Sequence, residues 1–187
     1  MSIWIGLMRW PGIAIALLLA STCASLAIAA PTDAMSDVEI KAAYLYNFAK
    51  FAEWPALAPE SPLCLCVVGD DRIAAALSSV SRGQTIQGHP IDVRRMPVEG
   101  GQPCHMLFVS QSTVRGASRL LDVLKGQPVL TVSDADDFAS SGGMIGLFVE
   151  KGRMHFAINI DAIQRSQLHL SSRLLSLAKV VRDDRGR

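Results

Sequence analysis

Between Trp10 and Pro31 the chain carries no charged side chain, and Arg9 is the only charge before Asp33. Ile13–Leu19 is a short apolar run within that span, and Ala27-Ile28-Ala29 follows it as a small-x-small cleavage site. This is the pattern of an export signal comprising residues 1–29, with the mature chain beginning at Ala30. A permanent membrane anchor is the competing reading, since the uncharged span is about long enough to cross a bilayer. Its second half is Ala, Ser and Thr and lacks the bulky residues an anchor needs, so cleavage is expected. Cys23 sits behind Ala20-Ser21-Thr22, a poor lipidation box, and is expected to leave with the signal.

Export sets both the size and the chemistry of what remains. Residues 30–187 are enough for a single compact domain with a real core. Without Arg9 the basic residues fall from 18 to match the 17 acidic ones. A balance so near neutral gives no electrostatic reason to expect nucleic acid or an anionic membrane as a partner. Cys64, Cys66 and Cys104 survive cleavage, and in an oxidising compartment two are expected to pair. Cys64 and Cys66 are two apart in an extended run and share a face, which makes them poor partners for each other. Cys104 is therefore the common acceptor, leaving one structural bridge and one small buried thiol. A metal site built on Cys-x-Cys and Cys104-His105 is disfavoured, because structural zinc sites usually space their cysteines by two to four residues.

The periodicities place the elements. Ser36-Asp37-Val38-Glu39 is a capping box, and apolar residues recur at helical spacing from Val38 to Ala52, so a helix is expected to about Glu53. Trp54-Pro55 ends it, since a residue before proline is driven from the helical region. Leu63–Gly69 reads as a strand, followed by a helix from Asp70-Asp71 to about Val80. Thr85-Ile86, His89–Met96, Cys104–Ser110 and Val129–Val132 read as further strands. A helix is expected to start at Gln111-Ser112 and bury Leu120, Leu121 and Leu124. Met144–Glu150 and Arg153–Ile160 suit a hairpin turning at Lys151-Gly152. Asp161–Ser166 reads as a helical turn. Ser171 or Ser172 caps a final helix carrying Leu174, Leu175, Leu177 and Ala178, with a frayed charged tail beyond. The sum is an α/β fold: a single compact domain with a mixed β-sheet flanked by helices.

No catalytic constellation emerges. Gly69-Asp70-Asp71 stands at a strand end, where open α/β sheets bind ligands, but without a glycine-rich cradle it reads first as a helix cap. Asp134, Asp136 and Asp137 lack the glycine and distal glutamate of a calcium loop. Gly142-Gly143 lacks the helix of a dinucleotide fingerprint. His89, His105, His155 and His169 show no metal spacing, and no serine has a hydrolase elbow. Cys64 in an apolar strand is expected to be inert. Neither catalytic residues, metal nor cofactor is expected.

The most unusual segment is Lys41–Pro55 (KAAYLYNFAKFAEWP), with five aromatic residues in a chain that is only 6% aromatic. Tyr44, Phe48 and Phe51 share one helical face and read as core. Tyr46, Phe51 and Trp54 are also candidates for a partner surface, where aromatic residues are favoured. This segment resembles the opening signature of the YfiR/HmsC-like periplasmic proteins. The resemblance continues through Cys66–Asp71, Cys104–Ser110, Leu130–Asp134, Gly142–Ile145 and Leu170–Val181. It implies an α/β protein of the periplasm that binds the periplasmic sensing domain of an inner-membrane diguanylate cyclase. Binding holds the cyclase inactive and limits cyclic di-GMP and biofilm formation; members can form dimers. Carried over by position, the disulfide is Cys66–Cys104 and Cys64 is free. The chain departs from some members in having no second cysteine pair between Gly142 and Ile160, so redox control there is not expected. The alternative function is a periplasmic small-molecule sensor with its ligand near Gly69–Arg72. The candidate partner or ligand surface is thus Tyr46, Phe51, Trp54, Asp70 and Asp71.

Overall fold

Ser36 opens the first helix by a reciprocal cap: its Oγ accepts the Glu39 N–H at 3.3 Å, and the Glu39 carboxylate accepts the Ser36 N–H at 2.8 Å. In the computed structural model, which describes residues 35–54 and 57–183, helix α1 spans Asp37–Phe51. The export signal expected over residues 1–29 lies outside the described residues. The helix stops before the expected Glu53. Ala52–Glu53 instead forms a short strand, β1, antiparallel to His169–Leu170, and the Phe51 carbonyl accepts the Ser171 N–H at 2.9 Å. A tertiary partner for the backbone thus takes over where the helix ends.

Strand β2 (Leu63–Val68) is buried at every position, as a central parallel strand covered on both faces should be. Helix α2 (Asp71–Ser81) follows, then β3 (Thr85–Ile86), β4 (His89–Arg95) and β5 (Met106–Val109). Helix α3 covers only Ser118–Leu124, not the stretch from Gln111. The Ser110, Ser112 and Thr113 hydroxyls bond one another at 2.9–3.0 Å, and Thr113 Oγ1 also donates to the Ser110 carbonyl at 3.2 Å. Such local bonds compete with a helical start, and 111–117 is a series of turns. Leu120, Leu121 and Leu124 are correspondingly half-buried rather than buried.

Strands β6 (Leu130–Ser133), β7 (Ile145–Glu150) and β8 (Arg153–Asn159) come next, then α4 (Ile160–Arg165), β9 (His169–Leu170), α5 (Ser172–Leu177) and β10 (Lys179–Val181). The β7–β8 turn is the expected one: Lys151 and Gly152 both have positive φ, 51° and 73°, as a two-residue hairpin turn requires. Ser171 caps α5, its Oγ accepting the Leu174 N–H at 3.3 Å. The expected frayed tail is corrected by β10, which pairs in parallel with β8 from Lys179↔Ala157 to Val181↔Asn159. Arg182 adds a 2.8 Å ion pair to Asp161.

The eight-stranded sheet has the order β10-β8-β7-β6-β5-β2-β4-β3, and β1-β9 forms a separate pair. Strands β4, β2, β5, β6 and β7 are parallel, whereas β8 is antiparallel to β7 and β3 to β4. The chain passes outward from β2 to β4 and returns to place β5 on the other side, so the doubly wound order reverses between β2 and β5. Leu63, Leu65 and Val67 face the larger core, with Leu45 and Phe48 of α1 and Ile73 and Leu77 of α2. Cys66, Val68, Leu107 and Val109 face a smaller core under α3.

Candidate functional site

Helix α1 runs antiparallel to the parallel strands, and its side chains lock it at both ends. At its start, Lys41 Nζ reaches Asp134 at 2.5 Å, and the other Asp134 oxygen accepts the Gln111 N–H at 2.7 Å. One carboxylate therefore joins α1 to the C-terminal ends of β5 and β6. Further along, the Tyr44 hydroxyl donates to the Met154 carbonyl at 2.9 Å, and Tyr44, Phe48 and Phe156 form a cluster with ring centroids 5.0–5.8 Å apart. At its end, Trp54 Nε1 donates to the Ala49 carbonyl at 3.2 Å, and its ring meets His105 edge-on. Most of the aromatic stripe thus builds the core. Tyr46 and Phe51 remain half-buried at its border, while Trp54 is only 9% exposed.

Asp70 and Asp71 lie at the opposite end of the sheet. A strand of six residues is about 20 Å long, so these carboxylates and Trp54 do not share one site. Asp70 is the N-cap of α2: its Oδ1 accepts the Arg72 N–H at 2.9 Å and its Oδ2 pairs with the Arg72 guanidinium at 2.9 Å. The Arg72 bond holds the Asp70 carboxyl below the usual carboxylate range. Asp71 is exposed, 3.5 Å from Arg95. Beside them Gly69 has φ +91°, and a Cβ there would meet Thr113 Oγ1 at 2.1 Å and Ser110 Oγ at 2.4 Å. The hydroxyls that unseat the start of α3 therefore fill the crevice where the strand order reverses.

The disulfide is Cys66–Cys104, with Cα atoms 6.0 Å apart, and Cys64 is a free, buried thiol. Burial raises the Cys64 pKa; nearby Arg94 offsets this in part, and Asp92 adds to it. The Cys64 N–H donates to His105 Nδ1 at 2.9 Å, so the neutral imidazole carries its proton on Nε2. Spacing alone offered no sign of this link or of the Lys41–Asp134 pair, since both join residues distant along the chain. Among the described residues, no three His, Cys, Asp or Glu side chains group closely enough to hold an ion, and no helix is long and apolar enough to cross a membrane.

What these features define is a doubly wound α/β module, its sheet extended by a hairpin and a C-terminal strand, with an aromatic helix clamped across one face. The chain belongs to the YfiR/HmsC-like family, whose sequence model matches residues 38–179.

Proposed function

We propose that this protein is a periplasmic negative regulator that binds the periplasmic sensing domain of an inner-membrane diguanylate cyclase. It represses cyclic di-GMP synthesis, and with it biofilm formation, as a stoichiometric binding partner and without catalysis. The observation that carries this reading is the family match over residues 38–179. Binding stabilises one conformation of the cyclase's periplasmic domain, and release shifts the population back. Tyr46 and Phe51, half-buried on the border of α1, are the residues from which to map the interface. Trp54 is a poor probe because removing it disturbs the core.

A pull-down of the tagged protein from detergent-solubilised membranes tests this directly. The expected outcome is capture of a membrane cyclase with a periplasmic domain, together with a rise in cyclic di-GMP when the gene is deleted. Tyr46→Ala is expected to weaken capture by about tenfold, the loss typical of an interface aromatic, in a protein that is less stable but still folded, since Tyr46 also packs against the core. Unchanged cyclic di-GMP in the deletion strain, with no cyclase captured by a folded protein, rules the reading out. The alternative, a small ligand held near Gly69–Arg72, has less support, since Ser110 and Thr113 already occupy the space above Gly69.

A further inference from the structure

We propose that the cavity between α3 and the N-terminal edge of the sheet binds a small, uncharged, largely apolar molecule carrying a hydrogen-bond acceptor. The proposal does not rest on the cyclase reading, and the site lies at the other end of the sheet from Gly69. Its volume is about 330 Å³, and Trp54, Met96, Leu107, Leu120, Leu124 and Val129 form its apolar walls. That size falls at the lower end of the range for small-molecule sites.

Among the described residues, the lining contains no Asp, Glu, Lys or Arg. Other cavities differ: one is lined by Asp122, Lys125 and Arg165, and another by Asp136, Asp137 and Lys179. The lining supplies no counter-charge of its own to offset lost hydration, which favours a neutral occupant over a charged one. The polar groups are few and oriented. Trp54 has committed its N–H to Ala49 and offers only its ring. His105 has committed Nδ1 to the Cys64 N–H, which leaves Nε2–H as a donor at the wall. His105 is half-buried and lines the cavity, which makes its remaining ring N–H the donor for an incoming acceptor. Burial, with His89 and Arg94 nearby, keeps the imidazole neutral.

The walls are also pre-positioned. Cys104 lines the cavity and is tied to β2 through Cys66, which fixes the Gly100–Pro103 loop against the sheet. None of the α3 side chains is fully buried; Leu120 and Leu124 pack against the smaller core and leave part of their surface to this space. Unfilled apolar volume between leucines is destabilising, so an occupant of matching chemistry should also stabilise the fold.

The test uses protein recovered from the exported fraction, with its disulfide intact. Trp54 is the sole tryptophan of residues 30–187, and it stands in the cavity wall as an energy donor. The probe is 6-propionyl-2-dimethylaminonaphthalene, neutral and carrying one carbonyl acceptor. We expect saturable one-to-one binding on the order of 100 µM, seen as energy transfer from Trp54 together with a rise in melting temperature. The acceptor-free 2-dimethylaminonaphthalene should bind about fivefold more weakly, the worth of one hydrogen bond. Naphthalene-2-sulfonate should bind at least about tenfold more weakly because of its charge. Leu120→Arg should abolish the signal. Leu120→Phe, which fills the cavity without introducing a charge, should reduce affinity by about tenfold in a protein that stays folded. Absence of saturable transfer overturns the proposal. So does equal binding of the sulfonate or the acceptor-free probe, or unchanged affinity in a folded Leu120 variant.

Discussion

At the residue scale, the aromatic signature serves the fold before it serves any partner. Lys41, Tyr44 and Trp54 each spend their polar atom on an internal acceptor, which explains why a polar-aromatic helix packs tightly. His105 shows the same economy and has a consequence for pH. Burial lowers its pKa from the ordinary 6.5, with His89 and Arg94 adding repulsion, and a second ring proton would point at the Cys64 N–H. The folded state thus binds this proton less readily than the unfolded chain. Its contribution to stability is complete above the unfolded pKa and is lost as pH falls below it. The urea midpoint is expected to stay level at neutral pH and to drop on acidification from about pH 6.5. His105→Gln should flatten the upper part of that slope. A midpoint that rises between about pH 6.5 and 5.5 would contradict the assignment.

At the scale of elements, the long periodic segments and the capped helix starts were legible in the sequence. The capping box at Ser36, the buried run of β2 and the positive-φ pair of the β7–β8 turn all follow from local residue chemistry. The ends of elements were not. Helix α1 yields to β1 because Ser171 offers a donor from the far end of the chain. Helix α3 starts late because hydroxyls compete for its first turn. The C-terminal strand β10 is three residues with no alternation to read, and it exists only because the edge of β8 was open. It carries a sharp prediction: truncation after Ala178 removes its ladder and the Arg182–Asp161 pair. Unfolding stability should fall by about 2–4 kcal/mol, taking roughly 1 kcal/mol for each hydrogen bond lost. A frayed tail would make the same truncation silent in a urea titration.

For the whole molecule, one covalent link and one helix hold the layers together. Helix α1 covers the larger core and reaches both ends of the sheet. The Cys66–Cys104 bridge crosses the smaller core, where helix cover is weakest, and closes a separation of 38 residues. The chain-entropy account assigns such a loop about 4 kcal/mol. Cys66→Ala/Cys104→Ala should therefore lose about that much in equilibrium unfolding, and added reductant should have little further effect on the double variant. A loss below about 1 kcal/mol would place the stability of the smaller core in α3 packing instead.

Local patterning was enough for the fold class and most element starts, and the family resemblance implied both the disulfide and the free thiol. Each of these depends on local spacing or on motifs that survive in one dimension. Tertiary structure decided that Trp54 points inward, and that Asp70 and Trp54 lie at opposite ends of a strand. It also decided that Ser110 and Thr113 fill the crevice beside Gly69, and that a neutral apolar cavity remains under α3. Those outcomes turn on which distant residues meet when the sheet order reverses between β2 and β5, a contact pattern that no local periodicity encodes.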